Sequence, residues 1–383
     1  KKALTVGYEV EVVDLDGKSV ATFKSEPTVI AKGETATLSA EAPLSDLHFW
    51  SWGYGYLYKV KTRLIVDGDV MDEVVTRTGF RKTRFGEGKV WINDRVLQFK
   101  GYAQRTSNEW PGVGLSVPAW MSDYSNGLAV EGNANFFRWM HISAWKQDIE
   151  SCDRVGAMQM LPAGDAEKDR QGRQWEQRTE LMRDVIIYNR NNPSVIFYEC
   201  GNEAISREHM IEMKAIRDQY DPHGGRAIGS REMLDIPEAE YGGEMLYINK
   251  SSHHPMIATE YCRDEGLRKY WDDYSYPYHK HGEGNTEYHS TVTNTSAPKK
   301  DASAYNQNQD QLTVEWVRRW YDYWRERPGM SRRVNSGGAK IIFSDTQTHY
   351  RGVENYRRSG VVDPLRIPKD GYFAHKVMWN GWV

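Results

Sequence analysis

Beyond residue 90 the chain carries eight short β-like runs set between polar, helix-compatible stretches, and that number most limits its fold. The runs are 96–101, 134–138, 157–161, 194–200, 226–229, 245–248, 256–260 and 340–344. Several are almost continuously apolar, as strands buried on both faces are. Eight strands alternating with helices make a (β/α)8 TIM barrel, which typically takes about 250 residues. With 383 residues the chain has room for a second domain ahead of it. The widest gap between runs follows Glu260 and predicts an aromatic-rich insertion at about 266–311 over the barrel's C-terminal face. Its aromatics, from Tyr270 to Tyr288, suit either stacking on a sugar chain or packing a lid.

The first 88 residues have a different texture. Residues 6–13 alternate apolar and polar, Asp16-Gly17 is a hairpin-type turn signal, and strand-like runs follow at 28–30, 35–38 and 57–66. Helical periodicity is absent here. Short strands at such intervals predict a small immunoglobulin-like β-sandwich over residues 1–88, without the Cys pair of true immunoglobulin domains. The expected architecture is therefore multidomain: sandwich first, then a catalytic barrel over 89–383.

Charge and composition narrow the function. With 50 basic and 53 acidic residues the net charge is −3, which favours neither nucleic acid nor an anionic membrane as partner. No apolar run approaches the roughly 18 residues of a membrane span. Three scattered cysteines, Cys152, Cys200 and Cys262, make neither a disulfide framework nor a zinc site, and no metal or other cofactor is expected. The 14 Trp and 23 Tyr are conspicuous, because a flat apolar face with a polar edge suits cores, interfaces and sugar rings. Opening on Lys1-Lys2, without an initiator Met or an apolar leader, the chain reads as a processed or truncated product.

Two β-like runs end in glutamate. Residues 194–200 lead into Gly201-Asn202-Glu203, and 256–259 into Glu260-Tyr261. Strand C-termini form the active face of a parallel barrel, so both carboxylates would enter one cavity. Paired carboxylates across a glycosidic bond hydrolyse it, one protonating the leaving oxygen and the other attacking the anomeric carbon. The plainer alternative is that Asn202 and Glu203 cap a helix.

These segments resemble glycoside hydrolase family 2, the β-galactosidase, β-glucuronidase and β-mannosidase group. Asn189-Arg190-Asn191-Asn192-Pro193-Ser194-Val195 followed by Gly201-Asn202-Glu203 is similar to the family's acid/base signature, and His254-Pro255-Met256-Ile257-Ala258-Thr259-Glu260-Tyr261 to its nucleophile strand. Gly132-Asn133-Ala134-Asn135-Phe136-Phe137-Arg138-Trp139-Met140-His141 resembles the second-strand segment. Gly79-Phe80-Arg81 with Ile92-Asn93-Asp94-Arg95, and Leu57-Tyr58 before them, resemble the sandwich and its passage into the barrel. The resemblance implies a retaining exo-glycosidase with Glu203 as acid/base and Glu260 as nucleophile. It also implies that Asn202 bonds the sugar 2-hydroxyl, that Arg138 holds the nucleophile ionised, and that His141 lines the subsite. Arg138 as a structural ion pair and His141 as a loop residue stay open. A sixth-strand tyrosine bonds the nucleophile in the family, and Tyr241 and Tyr247 compete for that role.

The chain also departs from the family pattern. The jelly-roll sugar-binding domain that usually opens such chains is absent. Tyr102-Ala103-Gln104-Arg105 stands where an Asn-x-His segment is common, which makes Gln104 a subsite candidate. The eighth strand lacks its usual Trp platform; Phe343 would replace the stacking face unless it belongs to the core, and Asp345 would bond a hydroxyl. The expectation is a retaining β-glycosidase acting on a carbohydrate substrate, with β-galactosides ahead of β-glucuronides. A catalytically silent sugar binder on the same scaffold and a barrel enzyme with a non-sugar substrate are the alternatives. A periplasmic or secreted location is favoured over the cytoplasm, and a homo-oligomer is left open.

Overall fold

The computed structural model describes residues 3–105, 108–164, 168–233, 235–244, 251–261, 317, 335–346 and 360–381. The expected insertion at 266–311 and the run at 245–248 lie outside the described residues.

The N-terminal domain is an antiparallel sheet of five strands: β1 (Leu4–Val13), β2 (Ser19–Lys24), β3 (Thr28–Ile30), β4 (Tyr58–Val66) and β5 (Asp69–Thr78). They run in the order β2-β1-β4-β5, with β3 also on β1. Alternation works as expected in β1, where Val10 and Val12 turn to one face and join Tyr58 in a small core. The layer opposite is supplied by the irregular segment 31–57, whose Leu44, Leu47 and Tyr56 pack on that core. The strand expected at 35–38 does not form. Thr35, Ala36 and Thr37 are exposed, and a period of two without a face to bury gives a strand nothing to pack.

A three-stranded sheet of β6 (Thr83–Gly86), β7 (Lys89–Ile92) and β8 (Arg95–Leu97) leads into the barrel. Its Val90, Ile92 and Leu97 share a core with Phe99, Phe136, Phe197 and Ile257 from the strand starts, so it plugs the barrel's N-terminal end. The barrel itself is closed and wholly parallel. It comprises β9 (Phe99–Arg105), β10 (Phe136–Met140), β11 (Met158–Pro162), β12 (Val195–Glu199), β13 (Ala227–Arg231), β14 (Tyr241–Glu244), β15 (Met256–Tyr261) and β16 (Gly337–Ile341).

Three strands lie apart from their expected places. Residues 96 and 97 belong to β8, and the first barrel strand starts at Phe99. The sixth strand precedes the apolar run at 245–248 and is Tyr-Gly-Gly-Glu instead, a sequence of low strand propensity. Its glycines make room: a Cβ on Gly243 would lie 3.0 Å from the Thr259 side chain and 3.1 Å from Arg231 Cα. The eighth strand starts at Gly337, where a Cβ would meet Phe99 N at 2.2 Å.

The helices described are α1 (Ala119–Glu131), α2 (Lys146–Val155), α3 (Arg173–Asn189), α4 (Arg207–Tyr220) and α5 (Asp370–Trp379). The two domains are tied by polar bonds to barrel backbone. Arg81 donates to the carbonyls of Pro193 (2.5 Å), Val195 (2.7 Å) and Gly224 (3.2 Å), and Trp50 Nε1 donates to that of Asp153 (2.8 Å). Burial, with the Arg226 cation beside it, pushes Arg81 down to about 9. Gly156 ends α2 in the left-handed region at φ 76° and accepts a hydrogen bond from Gly53 N at 2.8 Å.

His375 of α5 packs between Tyr102 and Trp379, with ring centroids 6.0 and 4.9 Å away. Burial and the nearby Lys340 cation push its imidazole down to about 3, against the Gly371 carbonyl that favours the charged form. The unfolded chain takes up this proton near 6.5. Between those values the folded state binds fewer protons, so the His375 contribution to stability falls as pH drops from about 6.5 towards 3. In urea titrations the stability advantage of wild type over His375→Gln should be constant above pH 7 and shrink steadily below it; a constant gap would contradict this.

Candidate active site

Within β10 side chains alternate between the outer core layer (Phe137, Trp139) and the barrel interior (Phe136, Met140), which puts Arg138 inside. Arg138 is fully buried, and a buried cation needs partners. Its Nε donates to Glu199 Oε1 (2.9 Å) and Oε2 (3.2 Å), Nη1 to Glu260 Oε1 (2.8 Å), and Nη2 to Asn202 Oδ1 (2.9 Å). Burial opposes its charge, but the Glu199 and Glu260 carboxylates outweigh burial and hold the guanidinium firmly protonated. One side chain thus joins the ends of the second, fourth and seventh barrel strands.

Glu260 reaches that guanidinium because β15 is irregular. Ile257 faces the interior and Ala258 the outer layer, yet Tyr261 faces outward too. The register against β16 shifts between Ala258 and Tyr261, and this two-residue offset turns Glu260 inward. His141, just past β10, stands with Nε2 3.6 Å from Glu260 Oε1 in the left-handed backbone region at φ 73°. That is uncommon for a residue with a side chain and recurs at functional sites.

Strand β12 ends at Glu199, and α4 begins at Arg207 with Ser206 Oγ accepting from His209 N at 3.3 Å. Asn202 and Glu203 therefore lie in the loop between, and the helix-cap alternative falls. Ser230 Oγ bonds the carbonyls of Gly201 and Glu203, each at 2.6 Å, and shapes this loop. The Glu203 side chain is one-third exposed, and its Oε1 accepts from Arg231 Nη2 at 2.9 Å. A half-open carboxylate on a held loop and a buried one on a cation are chemically unlike groups facing one cavity.

Other candidates are not where the sequence put them. Tyr241 is a core residue: it packs on Phe197, and its hydroxyl donates towards the carbonyls of Gly229 (3.2 Å) and Tyr198 (3.4 Å). Its place at the start of β14, below the strand end, takes it out of reach of the nucleophile role. Tyr247 lies outside the described residues. Phe343 is buried against Tyr102, 5.0 Å between centroids, and against Phe137, so it is core and not a stacking platform. Gln104 has both ends of its amide on Ser344, through Oγ at 2.8 Å and N at 3.3 Å, and braces β9 against the segment after β16. Asp345 is buried and paired with Lys369 Nζ at 2.7 Å while accepting from Gly360 N, which anchors a loop.

Two residues went unnoticed in the sequence. Glu199 closes the same run as Glu203, and the inward alternation Phe197, Glu199 was its signal. Arg231 was lost because the fifth strand was ended at residue 229; carried two residues further, Ala227, Gly229 and Arg231 form one inward row. Among the described residues no group of three His, Cys, Asp or Glu side chains is placed to hold a metal, and no helix is long and apolar enough to cross a membrane.

The sequence profile of Glycosyl hydrolases family 2 matches residues 1–81, and that family's TIM barrel domain matches residues 84–380. The chain belongs to glycosyl hydrolases family 2. A β-glucuronidase of Formosa agariphila is 29% identical over 97% of this chain, which covers 36% of that protein. The solved structure of a β-glucuronidase from the family superposes with a TM-score of 0.78 and 27% identity, over 99% of this chain and 38% of that one. A β-galactosidase of Thermoanaerobacter pseudethanolicus is 23% identical over 66% of this chain and 34% of its own length. The chain thus spans little more than a third of such relatives. The weight of likeness lies with β-glucuronidases, against the expected lead of β-galactosides.

For this family member, the Arg138 hub makes a stability prediction. Arg138→Met leaves Glu199 and Glu260 buried beside an apolar side chain. Removing one partner of a buried ion pair costs about 3–5 kcal/mol, so the midpoint of urea unfolding at pH 7 should fall accordingly. An unchanged midpoint would mean that the carboxylates do not depend on this cation.

Proposed function

We propose that the chain carries the catalytic centre of a retaining β-glycosidase acting on β-glucuronides. The observation that carries this reading is the single guanidinium of Arg138 bonded to both Glu260 and Asn202, the neighbour of Glu203. In this mechanism Glu260, kept ionised by Arg138, attacks the anomeric carbon while Glu203 gives its proton to the leaving oxygen. A water then replaces the enzyme carboxylate at that carbon, and Glu203 takes the water's proton. Asn202 sits where its amide can bond the sugar 2-hydroxyl, with its carbonyl end already held by Arg138. His141 lines the same subsite from the other side of Glu260. Glucuronide is chosen over galactoside because relatives of 29% and 27% identity across nearly the whole chain are named β-glucuronidases.

The test is intact-mass analysis after incubation with activated 2-deoxy-2-fluoro glycosides of the glucurono, galacto, gluco and manno series. The account predicts a covalent adduct with the glucurono reagent that is lost in Glu260→Gln. It also predicts that Glu203→Gln slows turnover of glycosides with poor leaving groups by on the order of 10²–10⁴-fold. An adduct with the galacto reagent alone would return the assignment to β-galactosides. An adduct that survives Glu260→Gln, or none with any reagent, would overturn the mechanism.

A further inference from the structure

Arg231 ends β13 on the inward row of the barrel, beside Gly243 in the register with β14. The missing side chain at Gly243 leaves space there, since a Cβ would lie 3.1 Å from Arg231 Cα. The Arg231 side chain is 1% exposed. A guanidinium carries five N–H donors, yet the hydrogen bond this one makes among the described residues is from Nη2 to Glu203 Oε1, at 2.9 Å. Its Nε and Nη1 are buried without a hydrogen-bond partner. A buried cation with one bond and two orphaned nitrogens lowers stability relative to an apolar side chain of similar volume. Such a local violation, in contact with the carboxylate assigned to proton transfer, is a signature of function over stability.

We propose that Arg231 is the positioning residue of Glu203: its guanidinium fixes the carboxylate at the barrel mouth and favours its ionised form between turnovers. This role rests on the reading of Glu203 as acid/base. A cation at hydrogen-bond distance favours carboxylate over carboxylic acid. In the first step the Glu203 proton passes to the glycosidic oxygen as Glu260 bonds the anomeric carbon and the aglycone leaves. In the second, Glu203 must be a carboxylate to take the water's proton as oxygen bonds that carbon and the Glu260 ester breaks. Arg231 assists the second protonation state and limits the pH range of the first. The other charged groups around this loop are Arg138 and His141 from β10 and its end, Glu199 from β12, Glu260 from β15, and Arg178 from α3. Arg178 Nη1 lies 2.9 Å from where a Gly201 Cβ would stand. All of these stay in place when Arg231 alone is changed.

The experiment compares wild type, Arg231→Met and Arg231→Lys as full chains. It reads kcat/KM against pH on two aryl β-glucuronides, one with a good and one with a poor leaving group, together with Tm. Arg231→Met should keep or raise Tm and move the alkaline limb upward by about one pH unit. It should also lose at least tenfold more activity on the poor leaving group than on the good one. Arg231→Lys should bring the limb back towards wild type. A limb that does not move, equal losses on both substrates, or a fall in Tm that accounts for the lost activity would make Arg231 structural and overturn the proposal. A wild-type chain that hydrolyses neither glycoside would overturn the glycosidase reading, and this role with it.

Discussion

The structure turns on a cation placed where water cannot reach it. Arg138 lies inside the barrel, and its charge is held only because Glu199, Glu260 and Asn202 converge on it. Each partner comes from a different strand end, so the ion cluster also fixes how those strands meet. A buried ion cluster is a poor source of stability and a good source of geometry. Here the geometry delivers one carboxylate that is buried on a cation and another, Glu203, that is a third open to solvent. Two carboxyl groups in unlike surroundings are what acid/base and nucleophile roles require.

Everything else in the fold supports that convergence. The β6-β7-β8 sheet fills the opposite end of the barrel with Val90, Ile92 and Leu97, so the interior is apolar at one end and charged at the other. The N-terminal domain grips the same closed end through Arg81 and Trp50, at the starts of the strands and away from the carboxylates. Rigidity is thus concentrated opposite the face where ligands enter, as in barrel enzymes generally.

The eight-strand barrel, both glutamates, Asn202, Arg138 and His141 were legible because they end or interrupt apolar runs, where a charged residue stands out. Tyr241, Phe343, Gln104 and Asp345 were not, since their sequence surroundings suit a subsite as well as a core or a brace. Only packing separates those: Phe343 meets Tyr102, Gln104 meets Ser344, and Asp345 meets Lys369. The sixth strand escaped notice for the opposite reason. It is built of glycines that yield space to Thr259 and Arg231, so it carries almost no strand signal of its own. Arg231 vanished with the same error of two residues in a neighbouring strand. The choice of sugar is a different matter, because it depends on likeness to relatives and not on any residue pattern singled out in the sequence.

The central claim is that Glu260 and Glu203 act as a retaining pair, and the stereochemistry of the product tests it most directly. Proton NMR during hydrolysis of an aryl β-glucuronide shows which anomer of glucuronic acid forms before mutarotation mixes the two. The account predicts that the β-anomer appears first, since two displacements restore the starting configuration. First appearance of the α-anomer would mean a single displacement by water, and would contradict Glu260 as nucleophile.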